Sequence, residues 1–199
     1  MPVDKETRFL SRDGRGFPHL IGITGAAGSG KDTAATILAL QHLYQRISFA
    51  EPIKKAISAM LGMPVNMWDD RDWKEETIRS VGKSPRELAQ TLGTEWGRDT
   101  VKDSIWVDLA MAKWERNCEQ WSLDKAVFTD VRFNNEAERI REQGGIVISI
   151  VRQTIYEVAE HSSEGGVDIE LIDKVFLNNA KPADLQESVL NYVRGFQNG

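Results

Sequence analysis

Hydrophobic and polar positions along this chain are grouped in short blocks. Residues 1–18 are polar and carry the run Ser11-Arg12-Asp13-Gly14-Arg15-Gly16, which a core would exclude, so they predict a flexible lead-in. The pattern changes at His19. Leu20-Ile21-Gly22-Ile23-Thr24 is a compact apolar run closed by Gly25 and predicts a buried strand; Ala34, Ile37, Leu38 and Gln41 then mark one side of a helix over 31–43. A second short strand is predicted over 47–50. Pro52 opens the next helix, Ile53, Ala56, Ile57, Met60 and Leu61 give it an apolar side, and Gly62 stops it.

The middle of the chain reads as helical. Ser84-Pro85-Arg86-Glu87 has the form of a capping box with proline at the first helical position, and Leu88, Leu92 and Trp96 recur every four residues behind it. A further helix is predicted over 104–116. Strands and helices then alternate: strand 126–129, helix 135–143 closed by Gly144-Gly145, strand 146–151, strand 175–177 and helix 183–196. Five short apolar strands joined by helices imply right-handed crossovers and a parallel sheet covered on both faces, an α/β fold.

Composition narrows the function. At 199 residues the chain fits one domain, expected over 19–199, and 28% charged residues exclude a fibrous protein. The net charge of −5 excludes the broad basic surface of a non-specific nucleic-acid binder but leaves room for a local basic pocket. The single cysteine, Cys118, excludes an intramolecular disulfide and a Cys-rich zinc site. No apolar stretch approaches membrane-spanning length, so a soluble, cytoplasmic protein with no membrane partner is expected. All six tryptophans lie between Trp68 and Trp121. His19 and His42 read as structural, and no Ser-His-Asp or Cys-His constellation has a supporting context.

The chemistry enters at Gly25-Ala26-Ala27-Gly28-Ser29-Gly30-Lys31-Asp32-Thr33, between the first strand and the first helix. Glycines let successive backbone N–H groups converge on phosphate oxygens, the helix N-terminus adds partial positive charge, and Lys31 supplies a point charge to the β- and γ-phosphates. The spacing G-x4-G-K-x-T arises by chance in ~0.3% of chains of this length. Gly25, Gly28, Ser29, Gly30, Lys31, Asp32 and Thr33 are the expected nucleotide-binding residues. Asp32 stands where a Ser or Thr usually ligates Mg²⁺. It fits either of two uses: holding a metal-bound water or an arginine, or serving as a plain first-turn acid favoured by the helix dipole. Thr33, one residue late for metal ligation, is expected to meet a phosphate oxygen.

Further stretches occur in order: Ser48-Phe49-Ala50-Glu51-Pro52-Ile53-Lys54; 84–95 with Arg86, Gly93 and Thr94; Ile105-Trp106-Val107; Asp130-Val131-Arg132; and His161-Ser162-Ser163-Glu164. Together with the loop at 25–33 they make the chain from His19 onward resemble the bacteriophage deoxynucleoside monophosphate kinases. That resemblance implies a P-loop fold with strand order 2-3-1-4-5, ATP as phosphoryl donor, Mg²⁺ as cofactor and a deoxynucleoside monophosphate (dNMP) as acceptor. It also implies a helical monophosphate-binding insertion, placed at 63–124, a lid-like segment at 152–170, and a homodimer as one expected assembly.

Arg132, two residues past the third strand, fits a substrate-phosphate clamp or a surface ion pair. Asp130, which ends that strand, fits Mg²⁺ held through water, with Asp32 and Thr33, or the orienting of an arginine; no residue is assigned as a direct ligand. Glu136 fits a hydrogen bond from sugar or base. Arg86 in a first helical turn opposes the macrodipole, and it shares a face with Gln90, Gly93, Thr94 and Gly97, which fits close approach of a ligand or tight helix packing. By resemblance Ile53, Lys54 and Arg71 join the substrate site, though Lys54 and Arg71 fit solvated surface charges equally, and Arg152 joins Lys31, Arg132 and Asp130 as catalytic. Trp106 fits a base stack or the core; His161 and Glu164 match a lid motif without an assigned role. Another small-molecule P-loop kinase, of the dephospho-CoA or phosphomevalonate type, and a nucleotide-binding switch protein are the rival readings.

Overall fold

The computed structural model describes residues 18–152 and 166–196. The expected lead-in, apart from Pro18, and residues 153–165 of the expected lid, with His161 and Glu164, lie outside the described residues. The described chain falls into two compact units, one of residues up to Ser48 and from Met111 onward, the other Phe49–Ala110.

The first unit is built on a five-stranded parallel sheet in the order β2-β3-β1-β4-β5, the expected one. The strands are β1 (Leu20–Thr24), β2 (Gln45–Ile47), β3 (Ala126–Phe128), β4 (Ile146–Val151) and β5 (Lys174–Leu177). β1 is buried throughout because it lies at the centre, paired on both edges. Its side chains alternate between the two faces. Ile21 and Ile23 join a cluster with Ala34 and Leu38 of α1 (Lys31–His42) and Leu185, Val189 and Val193 of the C-terminal α7 (Pro182–Gly195). Gly22 faces the other way, toward α6 (Asn134–Glu142), where a Cβ would stand 2.8 Å from Ile140.

β2 lies earlier than the expected 47–50. It is an edge strand whose Gln45 and Arg46 are partly or wholly exposed, and polar residues at an edge hide a strand from a search for apolar runs. The apolar residues that follow belong elsewhere: Phe49 is buried in the other unit, and Ala50 caps α2 (Glu51–Leu61). Gly62 ends α2 in a left-handed conformation, φ 64°, as its place in the sequence requires.

The second unit contains α2, a 3₁₀ turn (Val65–Asp69), α3 (Arg71–Glu75), α4 (Pro85–Gln90) and a π-helical stretch (Thr91–Val101) continuous with α4. The unit boundary falls within α5 (Ile105–Trp121), which runs past the expected residue 116. α2 belongs to this unit because the Trp68 indole N–H donates to the Ser58 hydroxyl at 3.0 Å and the Lys54 carbonyl at 3.2 Å, which ties the 3₁₀ turn to it. α4 opens on the expected capping box: the Glu87 N–H donates to the Ser84 hydroxyl at 3.2 Å, and the Ser84 N–H donates to the Glu87 carboxylate at 2.7 Å. Hydrogen bonding from the Ser84 backbone N–H, and then from the Ser84 side chain, holds the Glu87 carboxyl below its ordinary pKa.

The four-residue repeat of Leu88, Leu92 and Trp96 predicts an α-helix, yet past Gln90 the turns widen, as in the Lys102 N–H donating to the Gly97 carbonyl five residues back. Trp106 supplies a reason. Its indole N–H donates to the Gly93 carbonyl at 2.7 Å, and its ring lies where a Cβ on Gly97 would be, 2.5 Å away. A side-chain donor at a helix carbonyl disturbs the α ladder, and π turns collect where function or packing demands them.

Gly145 joins α6 to β4 so closely that a Cβ there would stand 2.7 Å from both the Cβ and the carbonyl oxygen of Leu20. Gly145→Ala is expected to cost about 1–3 kcal/mol of stability, because backbone must shift to admit it. Urea denaturation of the two proteins measures the difference.

Candidate active site

The turn between β1 and α1 is held open by its glycines. Gly25, Gly28 and Gly30 take φ values of 138°, 76° and 111°, a region that side-chain-bearing residues seldom occupy. Gly25 has a second constraint, since a Cβ there would meet the Ile150 carbonyl oxygen at 2.2 Å. The turn delivers the chain into α1 at Lys31, so the unpaired N–H groups of the first helical turn face the loop, a ready site for an anion. Thr33 lies in that turn and is half-buried.

Lys31 bends back over the loop, its Nζ donating to the carbonyls of Gly25 and Ala26, both at 2.7 Å. Burial lowers its pKa, and the positive charge of Arg132 lowers it further; Asp32 and Asp130 pull in the opposite direction. These four charged groups, all expected site residues, thus share one electrostatic neighbourhood. Asp32 is answered by Arg46 of β2, whose guanidinium lies 2.8 Å from its carboxylate, so of the two uses for Asp32 the structure displays an arginine partner.

Asp130, Val131 and Arg132 follow β3 at the carboxyl edge of the sheet, where ligands bind in doubly wound folds. The segment is fixed at three points. The Ser48 hydroxyl donates to the Asp130 carboxylate at 2.6 Å, the Val131 N–H donates to the Ile23 carbonyl at 3.1 Å, and the Arg132 N–H donates to the Glu136 carboxylate at 2.7 Å. Glu136 also accepts the Phe133 N–H at 3.2 Å and is only 2% exposed. The structure therefore places Glu136 on the protein's own backbone, capping α6 and holding the strand-to-helix turn that carries Arg132. Arg152, at the end of β4, donates from Nε to the Asn178 carbonyl at 3.4 Å.

The remaining expected residues lie in the helical unit. Ile53 is 9% exposed and packs toward Gly93, where a Cβ would stand 3.1 Å from its Cδ1. Lys54 is half-buried, and Arg71 and Thr94 are exposed. Arg86 meets the Glu75 carboxylate at 2.6 Å, with both side chains about half exposed, so it has an ion-pair partner of its own. Trp106 is 5% exposed, and its N–H is taken by Gly93. Gly93 and Gly97 are accounted for by Ile53 and by the Trp106 indole, the packing alternative for that face.

Three residues given no site role by the sequence complete the first unit's site: Arg46, Ser48, which heads one of the ordered stretches, and Asn178. The amide of Asn178 donates to the Ser29 carbonyl at 2.7 Å across 149 residues of sequence. The signal available for Ser48 and Asn178 was position, since each directly follows a strand of the sheet's carboxyl edge.

A central parallel strand, a glycine turn, a helix and a lysine folded onto that turn define a P-loop kinase of the α/β class. Residues 73–189 match the family model described as deoxynucleotide monophosphate kinase. The chain belongs to the deoxynucleotide monophosphate kinase family, a family of phosphotransferases. It is 33% identical over 185 residues, 87% of this chain and 95% of the relative, to a mimivirus protein (Acanthamoeba polyphaga mimivirus) provisionally described as a deoxynucleotide monophosphate kinase. It is 26% identical to the deoxynucleoside-5'-monophosphate kinase of Escherichia phage T5, covering 80% of this chain and 89% of that one. Among solved structures, TT1252 from Thermus thermophilus shares the fold with a TM-score of 0.50 at 17% identity, over 92% of this chain and all of that one. Among the described residues no helix is long and apolar enough to cross a membrane.

Replacing Glu136 by alanine removes a buried carboxylate that accepts two part-buried N–H bonds, those of Arg132 and Phe133. Glu136→Ala is expected to lose about 1–3 kcal/mol of stability, read as a lowered urea midpoint with an unchanged denaturant slope.

Proposed function

We propose that the chain transfers the γ-phosphoryl group of ATP to the phosphate of a deoxynucleoside monophosphate, giving a deoxynucleoside diphosphate and ADP. The observation that supports this most is the convergence of Lys31, Arg132 and Asp130 on the glycine turn at the carboxyl edge of the sheet. An acceptor phosphate oxygen forms the new bond to the γ-phosphorus while the bond to the β–γ bridging oxygen breaks, and ADP leaves with that electron pair. The acceptor is already ionised, so no general base is needed, and positioning with charge neutralisation carries the rate.

In this reading the first-turn N–H groups and Lys31 bind the donor's phosphates, with Thr33 on a phosphate oxygen. Arg132, held by Glu136 through its backbone, clamps phosphate at the transfer point, and Arg152 adds charge. Lys54, Arg71, Arg86 and Thr94 of the helical unit serve the monophosphate, with Ile53, Gly93 and Trp106 shaping the backbone that carries them.

Mg²⁺ fits the donor set through one carboxylate. The described residues contain no cluster of three or more acidic, His or Cys ligands, and Mg²⁺ in such sites is held by one or two carboxylates, water and substrate phosphates. Asp130, oriented by Ser48, is the carboxylate in place; Asp32 is engaged with Arg46. When bound, the ion supplies charge neutralisation on the β- and γ-oxygens. The setting we propose is the host cytoplasm during viral DNA replication, with no nucleic-acid or membrane partner and with a homodimer as the assembly.

A coupled assay of ADP release across the natural dNMPs and NMPs, dephospho-CoA and phosphomevalonate tests the acceptor. Turnover is expected with dNMPs, and exclusive turnover of either of the last two would replace the reading. Lys31→Ala is expected to lower kcat by at least about 100-fold with the fold retained, checked by activity and circular dichroism.

The lowered pKa of Lys31 adds a pH dependence. The free enzyme loses this charge at lower pH than an ordinary lysine does, and an uncharged Lys31 binds the donor less well. kcat/KM for ATP should therefore fall with rising pH from a midpoint below 10.5, the ordinary lysine value. A pH profile under saturating dNMP measures it; a profile flat to that value would show that the Lys31 charge is not lowered in the free enzyme.

A further inference from the structure

Asn178 is the first residue after β5, far from the glycine turn in sequence and against it in space. Its side chain is 4% exposed, and its Nδ2 donates to the main-chain carbonyl of Ser29 at 2.7 Å. Its own backbone is fixed to the sheet: its N–H donates to the Val151 carbonyl at 2.7 Å, and its carbonyl accepts from Arg152 Nε at 3.4 Å. The amide thus reaches the loop from a base tied to the end of β4. The room for it comes from Gly30, where a Cβ would stand 2.4 Å from Asn178 Nδ2. Gly30 therefore answers two demands at once, a left-handed φ of 111° and a vacant volume for the Asn178 amide.

The bond fixes more than a carbonyl. The described chain holds no cis peptide, so in the Ser29–Gly30 unit the C=O and N–H point in opposite directions. With the Ser29 carbonyl turned toward Asn178, the Gly30 N–H is turned away from it. That N–H immediately precedes the first residue of α1 and belongs to the group of unpaired donors that a phosphate would meet. A free glycine-flanked peptide can flip and would present a carbonyl oxygen to the anion in place of an N–H.

We propose that Asn178 is a positioning residue for the donor nucleotide, locking the Ser29–Gly30 peptide with its N–H toward the phosphate. The inference rests on the reading that this loop binds the phosphates of ATP. It predicts an effect on the donor alone, since the monophosphate has no part in the bond.

The test uses Asn178→Asp, which keeps the size of the side chain while setting a carboxylate against the Ser29 carbonyl, and Asn178→Ala, which removes the donor. Steady-state kinetics should show KM for ATP raised roughly 10-fold in both variants, with KM for the dNMP unchanged. Calorimetric titration with MgADP should show the same loss of affinity. KM does not depend on how much of a preparation is folded, so a variant that folds poorly still reports. If Vmax falls along with the folded fraction while KM for ATP stays at the wild-type value, Asn178 is only a structural residue and the inference fails. Equal rises in both KM values would also overturn it. Wild-type protein that binds neither ATP nor MgADP would remove the donor reading and this inference together, which separates that failure from the others.

Discussion

The site depends on the approach of the Gly25 backbone to the Ile150 carbonyl, where an added Cβ would stand 2.2 Å from the oxygen. β1 lies at the centre of the sheet, so the chain leaving it must turn while still flanked by the end of β4, and no side chain fits there. Much of the site follows from that turn. It aims the start of α1 at the loop, brings Lys31 back over Gly25 and Ala26, and leaves Ser29 where Asn178 can reach its carbonyl. The sheet order matters equally. With β3 and β4 on either side of β1, the residues following both strands, Asp130 to Arg132 and Arg152, come to the same edge as the loop.

Two kinds of interaction hold this edge, and they differ in strength. The exposed ion pairs, such as Arg86 with Glu75, are screened by water and contribute little to stability. The bonds to backbone made by the buried side chains of Glu136 and Asn178 cannot be lost without leaving a buried carboxylate or amide unsatisfied. Precision at the site thus comes mainly from side chains tied to main chain, while the charged groups beside the loop supply the field.

The sheet was legible because β1, β3 and β4 are near-continuous apolar runs, broken only by Thr24 and Ser149, as strands buried on both faces tend to be. The edge strand β2 was misplaced for the complementary reason: its Gln45 and Arg46 carry no apolar signal, and the nearby apolar run serves other elements. The glycine turn and Lys31 could be read from spacing alone. Ser48 and Asn178 could not, because each acts through a contact that only the fold creates, 82 and 149 residues distant in sequence. Glu136 was visible as a residue of interest, but its use on the backbone of Arg132 depends on the turn geometry at the start of α6. The π-helical stretch escaped periodicity altogether, since the four-residue repeat of Leu88, Leu92 and Trp96 is the pattern of an ordinary helix.

The pairing of Asp32 with Arg46 has a consequence for how this site can change. A carboxylate at the mouth of an anion site would repel the ligand, and the guanidinium 2.8 Å away offsets that charge. The two residues stand on different elements, α1 and β2, yet neither substitution is neutral alone: a hydroxyl at 32 would leave an extra cation beside the loop, and a neutral residue at 46 would leave an extra anion. Positions 32 and 46 are therefore linked through charge at the loop rather than through stability, although nothing in the linear sequence joins them.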